Sequence, residues 1–161
     1  MNKKTLRTLT SAALIAALYV VITMAFLPLS FGQIQVRVSE SLTILPVFSV
    51  AAVPGLFIGC LIANILGGAM VIDVVLGSIA TLIGAIGTYF LRKKNIIWAP
   101  LPTILANGII IPLVLQWGYQ VPVPYWMLAL FIIGGELISA GVLGILLAKA
   151  IKPFANRIFP D

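Results

Sequence analysis

Five almost wholly apolar runs, at about residues 8–28, 41–69, 72–91, 96–116 and 126–149, constrain this chain more than any other feature. A helix needs about 20 apolar residues to cross the hydrocarbon of a bilayer. Each run reaches that length, and the second exceeds it. With 61% hydrophobic and only 9% charged residues, the chain has too few charges for a water-facing surface, so its solvent is lipid.

The net charge of +6 does not point to nucleic acid. The basic residues fall into three clusters separated by apolar runs: Lys3, Lys4 and Arg7; Arg92, Lys93 and Lys94; Lys149, Lys152 and Arg157. Such spacing is a topology signal and makes no continuous groove for phosphates. If all three clusters are cytoplasmic, an even number of crossings separates each from the next. The 41–69 run then counts as two short helices, divided at Pro54-Gly55, where proline breaks the hydrogen-bond ladder and glycine supplies a turn. The sequence therefore predicts an all-α membrane bundle of six helices in one domain, at about 8–28, 41–52, 54–69, 72–91, 96–116 and 126–149. Both termini are expected in the cytoplasm. The two short helices either cross or form a re-entrant hairpin, since both have the same parity. The first run is too long for a signal-peptide core and is read as a retained span.

This topology puts residues 29 to 40 outside, where Arg37 and Glu40 stand among Gln33, Gln35, Ser39 and Ser41. Ser39 is a candidate cap for the second helix, with Glu40 in its first turn. Asp73 falls at the outer turn between helices three and four and is a candidate cap there. Counted at 1.5 Å per residue, Asn64 lies about 7 Å from the outer end of its helix, Asn107 about 13 Å and Glu136 about 15 Å. A carboxylate at such depth costs at least ~2.5 kcal/mol, so it should face a cavity or a partner. The sequence thus predicts a polar pocket open to the outside with Glu136 at its floor; the alternative is a protonated Glu136 bonded between helices. The loop WGYQVPVPYW, residues 117 to 126, supplies Trp117, Tyr119, Tyr125 and Trp126 as an aromatic belt, with one ring available to stack on a ligand.

The sequence has no histidine and no GxxxxGK[ST] motif, and its lone cysteine, Cys60, reads as a small packed thiol. No serine or cysteine has an evident base, so an enzyme is not expected. What is left is a small membrane protein with an outward pocket and no motor. It either binds a solute for another machine or passes it down a gradient.

The stretches FGQIQVRVSESLTILPVF, VPGLFIGCLIANILGG and DVVLGSIATLIGAIGTYFLR carry a resemblance. From the first helix to about Arg92 the chain resembles the QueT family of queuosine-precursor transporters, and the last two helices agree in length and placement. These are the substrate-binding S components of energy-coupling factor (ECF) transporters. The resemblance implies a prokaryotic plasma-membrane protein that captures its solute outside and docks on a transmembrane coupling protein with two cytoplasmic ATPases. It needs no cofactor of its own, since ATP is hydrolysed by the partners. The family's AxxxA-type docking face maps onto Ala12 and Ala16, with Ala13 and Ala17 beside them. The implied cargo is a 7-deazaguanine such as the 7-aminomethyl form. Glu136 would then accept from the purine edge, Glu40 or Asp73 would sit near the ammonium, Asn107 and Asn64 would bond the remaining edge, and Trp117 or Tyr119 would stack. Arg37 would touch the ligand or orient Glu40. The rival readings are an S component for another vitamin or nucleobase-like solute, a stand-alone uniporter or channel, and a structural subunit without ligand.

Overall fold

The computed structural model describes residues 2–30 and 36–159, and the chain is all-helical over them. Gln33 and Gln35 lie outside the described residues. Among the described residues, four helices are long and apolar enough to cross a membrane: α1 (Lys3–Ala25), α4 (Val71–Leu91), α5 (Ile96–Gly118) and α6 (Tyr125–Phe154). Two shorter ones, α2 (Val38–Val47) and α3 (Ala52–Leu66), lie between α1 and α4. Four of the expected helices thus reach spanning length, and the second and third are the short pair. Neighbours in sequence pack side by side, α3 on α4, α4 on α5 and α5 on α6, while α1 packs on α3.

The helix skipped by that sequence of contacts is the hub. α2 touches α1, α3, α4 and α6, and every residue from Ser39 to Pro46 is buried. It is a 3-10 helix of ten residues, where such helices rarely exceed four residues. Local chemistry favours the tighter winding. Pro46 has no N–H to give an α-helical bond, and the Thr43 hydroxyl takes the Glu40 carbonyl at 2.6 Å. At three residues per turn, Arg37, Glu40, Thr43 and Pro46 fall in one row, so the two charged residues share a side of α2.

The break between α2 and α3 differs from the expectation. It falls at Phe48–Ala51, and Pro54 lies inside the first turn of α3, where its missing N–H would have no partner in any case. Gly55 is not a turn residue either. A Cβ there would come within 2.7 Å of the Ala12 carbonyl oxygen, and one on Gly59 within 2.8 Å of the Tyr19 Cβ and 3.0 Å of the Ala16 Cα. Gly55 and Gly59 are spaced one turn apart so that α1 can lie directly on α3. This corrects the assignment of Ala12 and Ala16 to a partner surface: both are buried inside this chain. Ala13 and Ala17 remain exposed, beside Leu14, Leu18 and Val21.

The distribution of polarity is that of a protein in lipid. Large apolar side chains such as Leu9, Val21, Ile83, Phe90 and Leu130 are exposed, whereas Glu40, Asn64, Thr23, Thr81 and Thr88 are among the largest fully enclosed side chains. Small residues let backbones approach closely where no hydrophobic force draws helices together.

Gly59→Val tests the α1–α3 contact. It should lower the melting temperature of the detergent-solubilised protein by an amount corresponding to about 1–3 kcal/mol, the usual cost of overpacking. Gly134→Ala is the control, because a Cβ there meets nothing within 4 Å; it should leave the melt unchanged or raised.

Candidate functional site

The polar side chains picked out in five separate stretches converge on one buried cluster. Arg37 at the start of α2 donates from Nη2 to Asn64 Oδ1 on α3 at 3.0 Å, and its Nη1 lies 3.7 Å from Cys60 Sγ. Asn64 Nδ2 in turn donates to the Asp73 carbonyl at the start of α4, at 3.4 Å. Gly77, one turn further along α4, makes room for this: a Cβ there would stand 2.9 Å from Asp73 Oδ1 and 3.2 Å from Asn64 Nδ2. On the other side, Asn107 of α5 donates from Nδ2 to Glu136 Oε1 of α6 at 2.7 Å. Glu40 stands between these two halves. Tyr19 of α1 donates its hydroxyl proton to Glu40 Oε1.

All of this is enclosed. Arg37 is 7% exposed, Glu40 1%, Asn64 0%, Asp73 4%, Asn107 4% and Glu136 5%. One guanidinium and three carboxyls are therefore shielded from bulk solvent. The bonding within it is incomplete. Among the described residues, Glu40 Oε2 and Glu136 Oε2 are buried without a hydrogen-bond partner of good geometry. Buried polar atoms are nearly always paired, and each exception calls for an explanation.

The helix carrying Glu136 is irregular at that point. Its α-helical part ends at Glu136, and Leu137–Leu143 is wound as a π-helix before Gly144–Ile151 returns to α. Such insertions are rare overall but frequent at functional sites. A second π-helical turn, Val114–Gly118, closes α5 and carries the chain round to Tyr119. The Tyr119 hydroxyl donates to Asp73 Oδ2 at 3.1 Å and accepts from the Met70 N–H at 3.0 Å, tying the loop after α5 to the start of α4.

Seven of the eight expected ligand-site residues thus meet: Arg37, Glu40, Asn64, Asp73, Asn107 and Glu136 in the enclosed cluster, and Tyr119 at its edge. Trp117 does not. It is 72% exposed on the outer surface, as the belt reading requires. Three details of the expected arrangement are corrected. Ser39 does not cap α2; its hydroxyl bonds that of Thr23 at 2.7 Å. Asp73 makes no side-chain cap and serves instead as the acceptor for Tyr119. Arg37 and Glu40, expected in the outer segment, lie inside the protein, because the 3-10 helix that they open runs through the middle of the bundle. Three members were not anticipated: Tyr19, Thr81, and Cys60 as more than packing, since its sulfur receives contacts from Arg37, Asn64 and the Thr81 hydroxyl, the last at 3.3 Å. The helical register of Tyr19 was readable, but nothing in an apolar helix marks one tyrosine as facing inward.

A family model described as QueT transporter matches residues 9–153. The chain belongs to the QueT transporter family. That family is one of transporters, and the long apolar helices of this chain are those of a membrane protein. A protein of Lactococcus lactis subsp. cremoris named queuosine precursor transporter QueT is 38% identical over 85 residues, covering 52% of this chain and 50% of that protein. The match thus spans about half the length of that relative. No solved structure matches the chain.

Tyr19→Phe removes a hydroxyl and no carbon. It leaves Glu40 with neither oxygen in its present bond, which should destabilise the protein by about 1–3 kcal/mol. A thermal melt in detergent reads this directly; an unchanged midpoint would mean that Tyr19 adds nothing to the enclosure of Glu40.

Proposed function

We propose that this protein is the substrate-capture subunit of an ECF-type ABC importer and that it binds a queuosine precursor, a 7-deazaguanine such as the 7-aminomethyl form, in the cluster around Glu40 and Glu136. The observation that carries this reading is the pair of buried carboxyl oxygens, Glu40 Oε2 and Glu136 Oε2, left without partners among the described residues. The name of the Lactococcus relative supports the choice of cargo.

The chemistry suits such a ligand. A guanine-type edge offers two neighbouring N–H donors, which a single carboxylate accepts together. Glu136, steadied through Oε1 by Asn107, takes that edge. An aminomethyl group is a cation, and three buried carboxyls against one buried guanidinium leave a site that favours added positive charge. Glu40 is its nearest match, because Asp73 already accepts from Tyr119. Asn64 holds Arg37 and Asp73 in place. Delivery inward falls to the energising module, since this sequence has no P-loop to drive transport. The basic starts and ends of α1, α4 and α6 face the cytoplasm of a prokaryotic plasma membrane. The exposed Ala13 and Ala17, with α1 around them, form the face that meets the coupling protein.

Calorimetric titration of the purified protein with 7-aminomethyl-7-deazaguanine, with thiamine and riboflavin as controls, tests the cargo. The deazaguanine alone should bind. Glu136→Ala and Glu40→Ala should each weaken binding at least tenfold, the loss expected for a charge-assisted hydrogen bond of roughly 1.5 kcal/mol. Trp117→Ala should leave it unchanged. No binding by a folded sample rejects the cargo, and full affinity in both glutamate variants rejects the site. Reconstituted alone in vesicles, the protein should bind solute without passing it; passage without partners would make it a uniporter instead.

A further inference from the structure

The opposite end of the molecule contains a second place built for a ligand. Arg7 of α1 and Arg92, which follows α4, line one cavity of about 550 Å³ together with Lys4. Its far wall is the exit of α2, including Ser49, and Thr8 and Tyr89 complete the polar lining. The Arg92 guanidinium lies over the Tyr89 ring, 3.7 Å from its centre, which holds the flat cation against the wall. No carboxyl lines this cavity. The carboxyls among the described residues, Glu40, Asp73 and Glu136, all belong to the cluster at the other end. Arg7 also lines a neighbouring cavity with Arg157, so the N-terminal, central and C-terminal basic segments gather at this one end.

A positive-inside bias alone requires basic residues near the membrane surface; it does not require them to surround a common space. Three cations around one cavity repel each other unless an anion enters. Arginine pairs offer forked N–H donors that match the oxygens of a phosphate. The cavity borders the lipid-facing surface: Val50, on its rim, is 48% exposed, and Phe90, next to Tyr89, is 75% exposed. Cations at headgroup level beside bare apolar surface fit a molecule with a phosphate and acyl chains.

We infer that this cavity binds a phosphate group, and that the group belongs to the headgroup of an anionic phospholipid in the leaflet at the basic end. Delipidated protein in a neutral detergent is titrated with dioleoylphosphatidylglycerol, dioleoylphosphatidylcholine or inorganic phosphate, with the thermal melt and native mass spectrometry as readouts. Phosphatidylglycerol should raise the melting temperature and remain bound; phosphatidylcholine should do neither. Arg7→Gln with Arg92→Gln should raise the half-saturating phosphatidylglycerol concentration at least tenfold. Lys149→Gln with Lys152→Gln removes the same charge outside the cavity and should leave it unchanged. The single Arg92→Gln variant serves if the double variant does not fold. An equal response to inorganic phosphate would keep the phosphate site and reject the lipid as its source. No response to any of the three, or one equally weakened by both double variants, would overturn the proposal.

Discussion

Keeping one guanidinium and three carboxyls away from water, inside a protein whose outside is apolar, is the constraint on which this architecture depends. Hydrocarbon gives nothing back to a desolvated charge, so each must find its compensation within the bundle. The asparagines answer this need. Asn64 accepts from Arg37 while donating to the backbone of α4, and Asn107 donates to Glu136. Tyr19 does the same for Glu40 from α1. Helices α1 to α6 and, through Tyr119, the loop after α5 are thereby tied to one cluster, and packing brings the rest of each helix along with it.

The central 3-10 helix follows from the same demand. A helix that carries two charged residues on one side must be surrounded by protein throughout its length, and α2 is. Ten residues of 3-10 helix extend about 20 Å, against about 15 Å for the same residues as an α-helix. A short segment thus reaches from the polar cluster at Arg37 towards the basic end at Val47, and links the two chemically distinct ends of the molecule without itself being long enough to count as an ordinary span.

Much of this was legible in the sequence because charge is so scarce. With three basic clusters and a handful of polar residues, the apolar runs marked the long helices and helical depth brought Asn107 and Glu136 together. What was not legible depended on which way residues face. Pro54-Gly55 reads as a break, yet the proline sits harmlessly in a first turn and the glycine serves the approach of Ala12. AxxxA in α1 reads as a docking face, yet the half of it at Ala12 and Ala16 was already occupied by Gly55 and Gly59. Cys60, Thr81 and Tyr19 lie in apolar runs where composition cannot separate an inward-facing polar atom from an outward-facing one. The winding of α2 was hidden for another reason: 3-10 and α-helices share the same local preferences, and the choice between them is made by Pro46, Thr43 and the surrounding helices together.

The seam between α1 and α3 sets Gly55 and Gly59 against Ala12, Ile15, Ala16 and Tyr19, and in a bilayer its separated faces meet lipid rather than water. A core assembled in water owes its strength to the water it releases, so it weakens on cooling and absorbs heat in proportion to the apolar area exposed when it opens. The α1–α3 seam releases no water. Its cohesion comes from dispersion between closely fitted atoms. Opening it within the bilayer should therefore carry almost no heat-capacity change, and its strength should vary little between a cold membrane and a warm one.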